Sequence, residues 1–265
     1  MLTIAITNQK GGVGKTTTTY HLARAAARRN LRTLVIDLDP QGNLSDSLTE
    51  LEEKQAGMAD ALSSRSECGL GDIIVPTRWD RVYLAPSGAE ALAVVRDELV
   101  TVAFGRERRL AEQLAQVEDN FDLGLIDCAP SIDALTTNAL AVADGALIVT
   151  QTRSYSLTGV AHVLETVKAA RGYYNPGLRV AGVLMSQHKT RTVQGRQWLE
   201  EISTACAERH LPLLEPPVPD MVAISEAAEA GLGLDEWPGN TKALVALYDQ
   251  HLATVLANLG EEAQA

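Results

Sequence analysis

The chain has 265 residues, a formal net charge of −11, 46% hydrophobic and 4% aromatic content, and three widely spaced cysteines, Cys68, Cys128 and Cys206. That is enough apolar material for one large core, while the cysteine spacing suits neither a disulfide framework nor a metal knuckle. No run reaches the roughly 18 apolar residues of a membrane-spanning helix, and the chain opens as a strand leading into a glycine-rich loop, unlike a secretory leader, so a cytoplasmic protein is expected.

In chain order, Leu2 to Thr7 reads as a short apolar strand, followed by the glycine-rich stretch Lys10 to Gly14 and a helix from Lys15 to about Asn30. Strands are predicted at Thr33 to Asp39, Arg81 to Ala85, Phe121 to Cys128, Gly145 to Gln151 and Leu178 to Met185. Helices are predicted at about Arg106 to Val117, Asp133 to Ala143, Leu157 to Arg171 and Val193 to Arg209. Continuously apolar strands alternating with helices imply parallel strands covered on both faces. The expected fold is therefore a doubly wound, mostly parallel α/β sheet flanked by helices. Asn43 to Trp79 is expected to form a helical insertion over one end of the sheet. Leu211 to Asp220, with four of the ten prolines, reads as an ordered extended loop with a short strand, and Gly239 to Leu259 as a terminal amphipathic helix. No linker or repeat divides the chain, so 1–265 is expected to be a single domain.

KGGVGKTT, Lys10 to Thr17, follows a strand and opens a helix. It lacks the leading glycine of the ordinary Walker A spacing, yet its placement suits phosphate chemistry. Gly11, Gly12, Val13 and Gly14 can turn backbone N–H groups inward as an anion nest, and the helix N-terminus adds partial positive charge. Lys15 would contact the β and γ phosphates, the Thr16 hydroxyl would ligate Mg²⁺, and Thr17 would reach the α phosphate. DLDPQGN, Asp37 to Asn43, ends the second strand and delivers Asp37 and Asp39 to the same rim, because ligands in open α/β sheets sit beyond the carboxyl ends of strands. Of these two aspartates, one can orient the metal and its waters while the other positions the attacking water. LGLIDCAPS, Leu123 to Ser131, ends a further strand in Asp127, placed as a Walker B carboxylate.

NQKGGVGKTTT at Asn8 to Thr18, DLDPQGN at Asp37 to Asn43, DCAPS at Asp127 to Ser131 and SEA at Ser225 to Ala227 together resemble the ParA partition branch of the ParA/MinD deviant Walker ATPases. The segment Ile74 to Gly88 is similar to that branch's third-strand region. The resemblance spans nearly the whole chain and implies a nucleotide-dependent switch. It assigns Lys10 to the interface of an ATP-sandwich dimer, where a lysine from each side would neutralise phosphate charge that otherwise opposes association. It further implies that Lys15 holds phosphates, Thr16 and Asp127 hold the metal, and Asp39 positions the water, leaving Asp37 on the metal side. Adenine contacts would come from around Pro219 and from Met185 to Ser186. The implied cofactors are ATP and Mg²⁺, and the implied partners are a second copy, nonspecific double-stranded DNA and a ParB-like or other cargo adaptor, with nucleoid association.

Two departures bear on DNA binding. Basic residues that commonly follow the late proline are absent from Pro219 to Ile224, and Arg153 stands where an acidic residue is often found. The mean charge also hides segregation. Met1 to Ile36 carries six basic residues and no acidic one, and Arg153 to Leu199 carries seven against Glu165 alone. Nonspecific duplex binding needs a basic patch rather than a basic protein, and Arg171, Arg179, Lys189, Arg191 and Arg196 are expected to form it. A MinD-like membrane ATPase would need basic flanks on a C-terminal amphipathic helix, whereas the tail from Leu252 has two glutamates and no lysine or arginine. A metabolic ATPase similar to the nitrogenase iron protein would need a second cysteine near Cys128, and none is suitably placed.

Overall fold

The computed structural model describes residues 1–50, 55–151, 156–190 and 192–260, without the side chains of 156–158. Its centre is an eight-stranded sheet built from Leu2–Thr7 (β1), Thr33–Leu38 (β2), Val75–Pro76 (β3), Val82–Ala85 (β4), Leu123–Cys128 (β5), Gly145–Gln151 (β6), Arg179–Ser186 (β7) and Leu213–Leu214 (β8). The spatial order is β3-β4-β2-β5-β1-β6-β7-β8. Every pairing is parallel except that of β3 with β4 at one edge. Parallel pairing is forced by helical crossovers, which return the chain to the same end of the sheet before each new strand.

The helices are Lys15–Arg28 (α1), Asn43–Leu48 (α2), Met58–Leu62 (α3), Leu70–Ile73 (α4), Glu90–Thr101 (α5), Arg109–Leu114 (α6), Ala134–Val142 (α7), Ser156–Tyr173 (α8), Val193–Glu208 (α9), Val222–Glu229 (α10) and Lys242–Gly260 (α11). They cover both faces, and successive strand residues alternate between two cores. Ile4, Ile6 and Val35 pack with Leu22 of α1, Leu44 of α2, Ile224 of α10 and Leu252 of α11. Ala5, Leu34 and Ile36 pack with residues of α3 to α9 on the opposite face.

Three predictions are modified. The segment expected to cover one end of the sheet instead joins both layers, with α2 on the α1 face and α3 and α4 on the other, because each short helix carries its own apolar side. Arg81 lies before β4 rather than in it, at a left-handed φ of 64°, and Val75–Pro76 supplies an unforeseen antiparallel edge strand. Proline is tolerated there because an edge strand can spare one donor. Helices α5 and α10 went unpredicted; Leu92, Val95 and Leu99 of α5 bury one face at helical spacing.

Candidate functional site

Three strands converge on one rim. β2, β5 and β1 are immediate neighbours, with Asp37 opposite Asp127 and Asp127 opposite Ile6. The loop leaving β1 and the loop leaving β2 therefore flank the end of β5, at a point where connections diverge to both sides of the sheet.

The first loop turns through Gly12 and Gly14, whose φ values of 70° and 86° lie in the left-handed region that glycine enters without strain. Gly14 caps α1, so the N–H groups of the first helical turn face the loop. Lys15 is buried, and its Nζ donates to the Lys10 carbonyl at 3.2 Å. Lys10 itself is exposed. The two lysines of one loop thus occupy different environments: one folded in, one facing solvent.

Asp127 is fully buried. One carboxylate oxygen accepts from Thr16 Oγ1 at 2.7 Å and the other from Thr19 Oγ1 at 3.2 Å. Burial, then the neighbouring charge of Asp37, pushes its carboxyl up to about 8, although Thr16 and Lys15 oppose the shift. Burial likewise lowers the Lys15 ammonium, against the pull of Asp127. Desolvation here exceeds the available pairing, so the pocket is short of positive charge. A divalent cation beside Thr16 and Asp127 suits that deficit. Mg²⁺ characteristically takes one or two protein ligands plus phosphate oxygens and water rather than an all-protein cage.

Asp37 departs from its expected place on the metal. Its Oδ2 accepts from both the Ser45 N–H at 2.9 Å and the Ser45 hydroxyl at 2.7 Å, and its Oδ1 accepts from the Asp39 N–H at 3.1 Å. Fully buried and so occupied, its carboxylate braces the loop between β2 and α2, and burial raises it to about 6. Asp39 stands at the rim, half-buried, with Oδ1 accepting from the Gln41 N–H at 2.9 Å and its own carbonyl accepting from Ser87 Oγ at 2.7 Å.

Beside α1 lies a cavity of about 150 Å³ lined by Gly14, Thr17, Gln187, Pro219, Met221 and Tyr248, among others. Thr17 and Pro219 are among its lining residues. Met185 is not: it is fully buried in the core on the opposite face, because residues alternate along β7 and its neighbour Ser186 turns toward the cavity instead.

The predicted DNA face divides. Lys189 and Arg196 are exposed near the rim that carries the phosphate loop, just beyond β7 and in the first turn of α9. Arg171 lies in the last turn of α8 and Arg179 begins β7, at the other end of a strand roughly 25 Å long. The Arg179 guanidinium also donates to the Leu259 carbonyl, tying β7 to α11. Arg191 and Arg153 lie outside the described residues. On α1, Arg24 pairs with Asp235 at 2.6 Å and Glu236 at 3.1 Å, and Arg28 with Asp249 at 3.1 Å.

Sequence reading missed Gln151 and Gln187 and named Ser186 only toward the adenine; all three reach the phosphate loop from the ends of β6 and β7. The available signal was positional: polar residues closing otherwise apolar strands at the ligand-bearing rim.

The AAA domain family matches residues 1–180. The chain is 35% identical over 228 residues to the chromosome-partitioning ATPase Soj of Thermus thermophilus, covering 86% of this chain and 85% of that protein. It is 34% identical over 234 residues to the chromosome partitioning protein ParA of Myxococcus xanthus, covering 86% and 78%. Among solved structures, it is similar to cobyrinic acid a,c-diamide synthase from Mycobacterium smegmatis with bound ADP and magnesium, at 33% identity and a TM-score of 0.73, covering 87% of this chain and 91% of that one.

Proposed function

The chain belongs to the AAA-domain family of ParA and Soj partition ATPases, and on that premise we propose that it is an ATP-driven switch whose nucleotide-bound dimer holds nonspecific DNA until hydrolysis releases it. It is a P-loop ATPase of the partition or positioning type, using ATP and Mg²⁺. The observation that carries the fuller reading is the division of labour between two lysines on one loop: Lys15 is buried against the Lys10 carbonyl, while the Lys10 side chain is left in solvent. Lys15 suffices for a monomeric phosphate site. An exposed second lysine beside it has a use once a second nucleotide-bearing surface arrives, because two facing triphosphates repel unless each side supplies a cation.

In this reading the amides of Gly11 to Thr17 and the Lys15 ammonium hold the phosphates, Thr17 and Pro219 flank the nucleoside end, and Asp39 orients the water opposite the leaving phosphate. Thr16 and Asp127 would hold Mg²⁺, which would supply positive charge to offset that developing on the phosphates. The partner subunit's Lys10 completes each site. Dimerisation would bring two copies of the Lys189 and Arg196 patch together, turning a small basic area on an acidic body into a duplex-binding surface. A cargo adaptor that stimulates hydrolysis would then set the release.

A mobility assay on duplex DNA with ATP, ADP or no nucleotide, run beside anionic vesicles, tests this. Salt-sensitive DNA binding with ATP alone supports it. Absence of DNA binding at low salt, or nucleotide-dependent binding to vesicles in its place, overturns the DNA reading.

A further inference from the structure

Three contacts hold the phosphate loop from the ends of the neighbouring strands β6 and β7. Gln151, last residue of β6, donates from Nε2 to the Gly12 carbonyl at 2.6 Å. Gln187, just past β7, donates to the same carbonyl at 3.2 Å, and its own side-chain oxygen accepts from Gln151 Nε2. Ser186, last residue of β7, donates its hydroxyl to the Val13 carbonyl and also to the Thr150 carbonyl at 3.1 Å.

In a planar trans peptide the C=O of one residue and the N–H of the next point in opposite directions. Drawing the Gly12 carbonyl toward Gln151 and Gln187 therefore aims the Val13 N–H the other way, and drawing the Val13 carbonyl toward Ser186 does the same for the Gly14 N–H. These two amides lie at the centre of the glycine-rich turn. Left alone, a loop with glycines at φ 70° and 86° has little to stop its peptide planes flipping, since glycine crosses between φ regions with little penalty. Gln187 is itself held at a left-handed φ of 50°, a conformation that an ordinary side chain adopts at a cost and that tends to persist where the surroundings enforce it. Ser186 and Gln187 also line the cavity beside α1.

We propose that Gln151, Ser186 and Gln187 are positioning residues that pre-set the phosphate nest by fixing the loop's outward carbonyls, and that the two shared with the cavity couple the nucleoside end of ATP to its phosphate end. The inference rests on the reading of Gly11 to Thr17 as the phosphate site. Pre-organisation acts on the ground state, because amides already aimed inward need not be reordered when the anion arrives. The brace therefore governs affinity and KM rather than kcat.

Calorimetry on the full chain with ATP, ADP and inorganic triphosphate, in the presence of Mg²⁺, separates the possibilities. Gln151→Met keeps the length of the side chain without its donor, Ser186→Ala removes the hydroxyl, and Ser186→Thr restores it. Gln151→Met and Ser186→Ala are expected to weaken triphosphate, ADP and ATP by about tenfold each, the amount for one lost hydrogen bond of about 1.4 kcal/mol. Ser186→Thr should stay within about threefold of the parent, and the KM for ATP should rise with kcat held within about twofold. Triphosphate binding unchanged in Gln151→Met and Ser186→Ala, or equal losses in Ser186→Ala and Ser186→Thr, would overturn the brace. Failure of the parent protein itself to bind triphosphate or ATP would instead overturn the phosphate-site reading beneath it. An unfolding midpoint taken without ligand guards against a folding artefact: a brace predicts affinity loss at a near-parental midpoint, and affinity that merely follows a lowered midpoint counts against it.

Discussion

Asp37 and Asp39 sit two residues apart at the end of one strand, yet the structure gives them unlike surroundings. Asp37 is sealed beneath the loop by Ser45, eight residues later, while Asp39 stands at the rim beside the phosphate loop. Lys10 and Lys15 divide in the same way. If Lys10 acts across a dimer, Lys10→Ala should bind ATP as a monomer within about threefold of the parent and show no ATP-induced dimer by analytical ultracentrifugation; a normal dimer would remove the trans role. If Asp39 orients the water, Asp39→Ala should lower kcat by the 10²- to 10⁴-fold typical of a lost proton-handling group while the ATP dimer persists in sedimentation. Hydrolysis at the parental rate would end that assignment. The lysines and glycines of the loop were legible in the chain because their demands are local: left-handed φ, helix start and charge. The commitment of Asp37 to Ser45 was not, since nothing in the strand's own pattern says which of two aspartates a later serine will take.

At the scale of elements, the site is a consequence of strand adjacency. β1, β2 and β5 become neighbours only because crossovers of very different length return them side by side, and the register places Asp37 against Asp127. The charge of Asp37 on the adjacent buried strand adds to burial in displacing Asp127 upward, whereas Asp37 itself is raised by burial and by Asp39. The helices on the α1 face are sensitive to pH for a different reason. His21 of α1 is buried, donates from Nε2 to the Ile224 carbonyl of α10 at 2.9 Å, and is lowered to about 4 by desolvation; His251 of α11 is buried and lowered to about 4 as well. The unfolded chain protonates both near their ordinary value of 6.5, whereas the folded chain keeps them neutral. Their contribution is therefore fully present above about pH 6.5 and lost as pH falls toward 4, by up to about 3 kcal/mol for each. Urea titrations at pH 7 and pH 5 should show the loss, and His21→Gln should flatten part of the slope. A pH-independent midpoint across that range would contradict the burial argument.

Over the whole molecule, charge is sorted rather than averaged. Arg24 and Arg28 of α1 pair with Asp235, Glu236 and Asp249, which binds α1 to the C-terminal part of the chain. Among the described residues of the expected DNA face, Lys189 and Arg196 lie at the nucleotide rim, some 25 Å along the sheet from Arg171 and Arg179. If that rim meets DNA, the double change Lys189→Glu and Arg196→Glu should abolish ATP-dependent duplex binding, whereas Arg171→Glu should leave it within about threefold. Milder neutralisation to Gln should lower the log–log salt slope by roughly two for each subunit. An effect confined to Arg171→Glu would move the surface to the other end of the sheet.

From the residues alone came the alternation of strands and helices, the phosphate loop and the rim on which its carboxylates gather, because periodicity, glycine dihedrals and strand-end placement are properties of short segments. The order of the strands, the splitting of the basic residues between two ends, the burial of Met185 on the wrong face for the nucleoside, and the brace from Gln151, Ser186 and Gln187 were decided by the tertiary structure. Each depends on groups more than a hundred residues apart or on which way a strand's alternation falls, and both are settled only when the sheet is assembled.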